Sequence, residues 1–376
     1  MAVTQVTYNG RALNTVEMGL KVSELVLPKI FAKIAYQKGY MVNDRYSADA
    51  ENSLDILIPK FNRPNGKFES IKGGSAYNPF SKDPIETTLT YDSMSVDLEY
   101  RQPIQIAEAQ IVQNVLGDRV IPTMVDYVAR EVAEQINYIT AEAMFKEALA
   151  YAVEKNSTYN DQGVMTATIE NVTTATAGDK IQGVDMSSAS FSAPDAMASL
   201  IAKIGNADPA KGDTSFNDYK MSQVICNSLY AKLMQTKNQF IIESSYGQEI
   251  LIDGTLGRIT LGDLTSYKGR VLGVDTFVLP DAFFPAKDNA NFTTNPTAGK
   301  VLGIMAVAEA TERVFVDRGV KITDAQTFRG WVLQPLYRVG CKTLKPWGVG
   351  LLVNETFSWA NPAYPIEAPA GGDGQE

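Results

Sequence analysis

The chain has 376 residues, 45% of them hydrophobic and 20% charged, the proportions of a globular protein with a core of its own. It contains no histidine, which excludes Ser-His-Asp and Cys-His catalysis, and His-ligated zinc, haem or iron, from this chain alone. A formal net charge of −9 argues against a protein whose work is gripping phosphate, because such domains display a basic face.

The two cysteines, Cys226 and Cys341, stand far apart and in no CxxC spacing, so both read as buried reduced thiols of a reducing compartment. The first residues offer neither the basic start nor the apolar run of a secretory signal. No segment approaches the roughly 18 apolar residues of a membrane span.

Taken in chain order, residues 1–46 read as an arm to be laid on something else. In NTVEMGLKVSELVLPKIFAKIAYQKG apolar residues recur at Val16, Leu20, Leu25, Ile30 and Ile34, a helical pattern that Pro28 is expected to interrupt. SLDILIPKF (53–61) alternates as a strand, with Pro59 marking an edge or an end. Its return, IETTLTYDSMSVDLEYRQPIQI (85–106), slips in alternation near Asp92 and Ser93, as a bulge would require.

Between these strands lies KFNRPNGKFESIKGGSAYNPFSKDP (60–84), far longer than a hairpin turn; loops beyond about 12–15 residues are usually functional or disordered. A lone two-stranded ribbon is marginal in water. The segment therefore reads as the tip of an arm that packs on a neighbouring subunit through Arg63, Lys67, Phe68, Lys72, Tyr77, Phe80 and Lys82. The plainer alternative is a surface hairpin with a disordered tip.

IPTMVDYVAREVAEQINYITAEAMFKEALAYAVEK (121–155) sets Ile121, Val125, Val128, Val132, Ile136, Ile139 and Ala143 at spacings of four and three, one apolar face of a single long helix. At about 1.5 Å per residue it is roughly 50 Å long, and Pro122 suits its first turn. Val125, Val128, Val132, Ile136 and Ile139 are the expected packing residues, and Asp126, Arg130, Glu134 and Glu142 the wet face. A coiled coil is the alternative, but the pattern stops at Lys155.

Residues 156–192 are rich in Thr, Ser, Ala and Gly and read as short strands and loops. A helix follows over 193–206, then YKMSQVICN as a strand and SLYAKLMQTK as a short helix capped by Ser228. Strands are predicted within 270–283 and 300–316, with PAKDNANFTTNPTAG as an exposed loop between them. GVKITDAQ and FRGWVLQPLYRVGCKTLKPWGVGLLVN complete the β structure, broken at Lys345 and Pro346.

Motifs that carry chemistry are sparse. Asp44, Asp49, Glu51 and Asp55 could meet a hard cation but follow no EF-hand spacing. No Gly-rich phosphate loop is present, and DGTLGRITLGD reads as turns between short strands. No catalytic, metal-binding or cofactor-binding residue is assigned, and no cofactor is expected.

The order of arm, long hairpin, beam helix, inserted α/β lobe and returning long strands resembles the major capsid protein of tailed bacteriophages, the coat fold named after the Hong Kong phage and shared with encapsulin shells. The resemblance covers nearly the whole length and is carried most by SLYAKLMQ, YKGRVLGVDTFVLPDAF, VLGIMAVAEATERVFVDRGVKI and FRGWVLQPLYRVGCKTLKPWGVGLL. It implies an α+β fold with an N-terminal arm (1–46), an extended β-hairpin loop (47–105), a peripheral domain (106–192 and 319–360) holding a spine helix over about 121–155, an axial domain (193–318) and a flexible C-terminal tail (361–376). It also implies a structural, non-enzymatic protein that self-assembles as hexamers and pentamers into an icosahedral virion shell. That shell would enclose double-stranded DNA without reading its sequence and would be built in the bacterial host cytoplasm, away from membranes. The partners implied are further copies of the chain, a separate scaffolding protein, a portal and decoration proteins.

Some members of the family join a loop lysine to an asparagine beside a glutamate on a peripheral strand. Here that strand reads TFRGWVLQPLYRVG, with neither residue, so no cross-link is expected. Gly73, Gly74, Gly330 and Gly340 are the candidate hinges. The acidic balance suits a container wall that must not hold its DNA tightly. An encapsulin-type compartment shares the fold and is the nearest alternative, with a non-histidine hydrolase further off.

Overall fold

The computed structural model describes residues 6–8, 11–47, 49, 53–61, 89–100, 104–107, 119–156, 158–159, 165–167, 171–173, 183–185, 193–205, 220–235, 249–251, 258–260, 264–324, 330–354 and 357–360. Over these the chain is α+β, with helices Thr15–Lys33, Val120–Asn156, Ala193–Gly205 and Asn227–Gln235 set around a four-stranded and a six-stranded sheet.

The first helix corrects the expectation that Pro28 divides it. It runs unbroken over Thr15–Lys33 and starts in a capping box: Asn14 Oδ1 accepts from the Glu17 amide at 2.8 Å, and the Glu17 carboxylate accepts from the Asn14 amide at 3.1 Å. Met18, Gly19, Val22, Val26 and Ile30 are buried against the long helix and the strand Thr311–Asp324. That burial outweighs the single hydrogen bond a proline removes late in a helix. Of the apolar residues read as recurring, Ile30 and Ile34 are buried and Leu25 half-buried, whereas Val16 and Leu20 are 71% and 68% exposed. At the far end Gln37 Nε2 donates to the Phe31 and Ile34 carbonyls, partnering acceptors that a helix terminus leaves open.

The four-stranded sheet is built on two long antiparallel strands, Thr311–Asp324 and Gly330–Thr343, with Asp97–Tyr100 and Ile104–Ala107 both pairing the outer edge of the second. Along Gly330–Thr343 the odd-numbered residues Trp331, Leu333, Tyr337 and Val339 are buried. On its partner a register shift between Asp317 and Val320 reverses the parity. Arg313 bonds the Tyr36 carbonyl and Phe315 meets Phe31 before the shift, whereas Val320 and Ile322 are the buried residues after it. Gly319, at φ 83°, makes the turn, its amide bonded to Asp317 Oδ1. The first helix lies over this edge strand and Ser23 Oγ accepts from the Val320 amide at 2.8 Å, so the edge is partly closed within the chain.

The six-stranded sheet runs in the order Gly183–Asp185, Val349–Val353, Val301–Val307, Met221–Cys226, Val274–Leu279 and Tyr267–Val271. Every residue of Val301–Val307, Val274–Leu279 and Val349–Val353 is buried, as strands covered on both faces require. Because it draws strands from 183–185 and from 349–353, boundaries at 192/193 and 318/319 pass through it.

The long helix, Val120–Asn156, reaches one residue beyond the sequence expectation at each end. Its buried positions fall in pairs four apart: 120 and 121, 124 and 125, 128 and 129, and so on to 148 and 149, then 152. Four residues advance a helix by one turn plus about 40°, so the buried stripe winds most of the way round over eight such steps. The cover changes accordingly. Lys29 of the first helix reaches Asp126 at 2.7 Å, the Ala35 amide reaches Asn137, Phe283 stacks on Tyr138, Phe357 meets Phe145, and Trp347 meets Tyr151.

Candidate assembly surface

The hairpin is present as Asp55–Phe61 paired with Leu89–Ser95, in register from Asp55↔Ser95 to Phe61↔Leu89 with no irregularity. The slip expected at Asp92 and Ser93 lies instead at Val96, where the return strand changes partner. Its amide bonds the Leu54 carbonyl at 2.7 Å, and from Asp97 the chain pairs Gly330–Thr343. The described ribbon is about 20 Å long at about 3.4 Å per residue.

Its two faces differ. Ile56, Ile58, Met94 and Val96 are buried in a small separate cluster with Val314. On the other face Leu57 is 64% and Tyr91 60% exposed, Pro59 pairs across from Tyr91, and the neighbouring Leu54 is 58% exposed. The base of the ribbon is thus seated on the rest of the chain, while its outer face shows Leu57, Pro59 and Tyr91 beside Ser93 with no described cover. The tip residues Arg63, Lys67, Phe68, Lys72, Tyr77, Phe80 and Lys82 lie outside the described residues, as do Gly73 and Gly74.

The segment joining arm to ribbon is pinned to the four-stranded sheet. Asn43 exchanges backbone hydrogen bonds with Thr311 and Arg313 at 2.9 and 2.7 Å. Arg45 Nε donates to Glu312 Oε1 at 2.7 Å, and its Nη2 lies 3.1 Å from Glu309. Glu312 is 1% exposed; burial pushes its carboxyl up from the usual range, with Arg45 pulling the other way. Asp44 pairs with Lys38 at 2.7 Å. Among the described residues no three His, Cys, Asp or Glu side chains are grouped to hold a metal ion.

Of the spine residues named from the sequence, Val125, Val128, Val132 and Ile136 are buried, and Ile139 is half-buried against the main core. The wet face is less wet than its composition suggests. Asp126 pairs with Lys29, Arg130 with Glu134 at 2.8 Å, and Glu142 accepts from the amides of Thr293 and Thr294 at 3.0 and 3.1 Å and from the Thr293 hydroxyl. Glu142 thereby holds the loop 285–299, which the sequence suggested was simply exposed; Phe292 of that loop is buried edge-on to Tyr138.

Gly340 lies inside a long strand, where an added Cβ would stand 2.6 Å from the Ser95 carbonyl oxygen. Its missing side chain admits the ribbon base, a packing need distinct from that of a pivot. Gly330 opens the same strand at φ 155°.

Cys226 is buried and Cys341 half-buried, and both are free. Burial pushes the Cys226 thiol up, and that of Cys341 to about 12, so neither is poised as a nucleophile. Cys226 Sγ lies 3.1 Å from Ser228 Oγ, and the Ser228 amide bonds Asp281, itself 3.2 Å from Lys300. The helix Asn227–Gln235 is therefore capped by Asp281 from another segment, where Ser228 alone was expected. No described helix is long and apolar enough to cross a membrane.

No family model and no curated protein matches the sequence. The fold is similar to those of solved chains from phages and from a GTA particle. The capsid of Ralstonia phage GP4 shares 9% identity at a TM-score of 0.49, over 89% of this chain and 91% of that one. A chain of Mycobacterium phage Ogopogo shares 11% at 0.46, over 80% and 87%. The capsid of an empty GTA particle shares 8% at 0.45, over 85% and 89%.

Proposed function

We propose that this chain is the major capsid protein of a tailed phage, a shell subunit whose copies form hexamers and pentamers that close into an icosahedral container for double-stranded DNA. The observation that carries the reading is the two-faced ribbon. Its inner face is seated on the chain's own sheet, and Leu57, Pro59 and Tyr91 on its outer face are left to water. Two-stranded ribbons gain stability from a covering surface, and an exposed apolar strip on a projecting element marks a contact. A neighbouring copy supplies such a surface repeatedly around a closed ring, and many modest contacts sum over the assembly.

On this reading the arm is 1–46, the extended loop 47–105, the peripheral domain 106–192 with 319–360, and the axial domain 193–318, with the six-stranded sheet shared between the last two. The loop tip, with its lysines and aromatics, lies over the adjacent subunit. A scaffolding protein, a portal and decoration proteins would be separate chains.

Electron microscopy of the purified chain tests this, with closed shells or rings of five and six as the expected result. A chain that stays monomeric at high concentration overturns it. Particles from the native source that hold enzymes instead of DNA would assign the same architecture to a cellular compartment.

A further inference from the structure

The two sheets are joined by a pair of strands that run through both. Val301–Val307 of the six-stranded sheet continues into Thr311–Asp324 of the four-stranded one, and Gly330–Thr343 returns into Val349–Val353. Each crossing is broken by a short turn, Ala308–Ala310 on the outgoing strand and Pro346–Gly348 on the returning one. The breaks stand side by side. One ladder ends at Ala306↔Val349 and the other begins at Thr311↔Thr343, and between them the amides of Leu344 and Lys345 donate to one acceptor, the Ala310 carbonyl, at 2.8 and 3.1 Å. A carbonyl oxygen accepts over a broad range of directions, so this junction fixes position more firmly than angle.

Each turn is held from outside the pair. Pro346–Gly348 leans on the long helix, where the Trp347 and Tyr151 rings lie 6.2 Å apart. Ala308–Ala310 is held by the segment that follows the first helix. There Tyr40 is edge-on to Phe277 of the six-stranded sheet at 6.0 Å, with Lys220 Nζ 4.0 Å from its ring centre. Three residues on, Asn43 is bonded to Thr311 and Arg313 of the four-stranded sheet. Arg45 then reaches both Glu312 on that strand and Glu309 inside the turn. Tyr40, Met41 and Val42 are buried, and Gly39 at φ 75° starts this path with its amide on the Val42 carbonyl.

We infer that Ala308–Ala310 and Pro346–Gly348 form a hinge between the two sheets, and that residues 40–45 are the brace that fixes its angle. Hinges are made of a few element-terminal residues that absorb backbone rotation, and two strands interrupted at one level supply them. The brace is fastened on both sides of the break, so bending has to give up either the Tyr40 ring contact or the Arg45 pair.

Hydrogen exchange of the full-length chain reads the hinge through the amides of Leu344 and Lys345. Tyr40→Ala combined with Arg45→Gln should speed both about tenfold, while the ladder amides of Val301–Val307 and Thr311–Asp324 keep their protection. Spin labels on Lys321→Cys and Leu272→Cys, one on each sheet, should then give a distance distribution about twice as broad. Arg130→Gln, which removes an exposed pair on the long helix, should change neither readout. Unchanged exchange at Leu344 and Lys345 in the folded double variant overturns the brace. So does protection lost equally along both ladders, since residues 40–45 would then be general packing. Should the double variant fail to fold, Glu309→Gln decides, because it removes only the contact inside the turn. It should speed the same two amides about threefold, and no change there overturns the brace.

Discussion

The long helix and the ribbon solve the same problem differently. Both are elongated, and neither could hold its apolar surface alone in water. The helix has its surface covered within the chain, by the first helix near Asp126, the 285–299 loop at Tyr138 and Glu142, and the C-terminal residues Trp347 and Phe357 further on. The ribbon has one face covered, by Val314 and its neighbours, and shows Leu57 and Tyr91 on the other. The contrast separates what stabilises the chain from what it leaves uncovered, and substitutions in the two regions should divide in the same way.

The largest effect should come from the helix. Phe145 is fully buried and meets Phe357 edge-on, so Phe145→Ala should lower stability by about 3–5 kcal/mol in denaturant unfolding. Next is the seam between the regions, where Gly340→Val must displace the Ser95 carbonyl and should cost about 1–3 kcal/mol, with the ribbon base more open to proteolysis.

Smaller still is a pH dependence at the pin beside the ribbon. Burial raises the Glu312 carboxyl in the folded state, so the folded chain binds that proton more tightly than the unfolded one. This contribution to stability is present in full below the ordinary glutamate value and is lost as pH rises through the raised one. Glu312→Gln should flatten that part of the stability profile between acid and neutral pH, and an unchanged slope would show that the group does not titrate there.

The smallest effect on the subunit should come from the ribbon's outer face. Leu57→Asp should change unfolding by no more than about 0.5 kcal/mol yet abolish higher assembly in sedimentation. A comparable loss of stability would mean that the strip is covered within the chain after all.

The sequence made the helix legible because its signals are local. Pro122 marks the start, and apolar residues recur at helical spacing over 121–155. The drift of its buried stripe was not legible, because it depends on which element lies opposite each turn. Ile139 and Ala143 fit a regular 3.6-residue face but are half-buried, while Thr140, Ala141, Met144 and Phe145 are the buried ones. The same limit explains Pro28, where local propensity indicated a break and tertiary burial carried the helix through. It explains Val96, where the strand exchanges partners without any turn residue to announce it. At the candidate site the alternation of the ribbon was readable, but which face meets Val314 was not. The break at Ala308–Ala310 gave no warning, because Ala-Glu-Ala between a valine and a threonine reads as ordinary strand.

The winding of the buried stripe around the long helix has a mechanical consequence. A rod gripped along one straight line rolls or slides by repacking a single seam, whereas one gripped along a spiral is held like a bolt in a threaded collar. Rolling Val120–Asn156 about its own axis would unseat every neighbour together, and sliding it would bring each pair of buried residues under the wrong one. The axis of this helix is therefore fixed within the chain, and a change of shape has to be taken up by elements outside it.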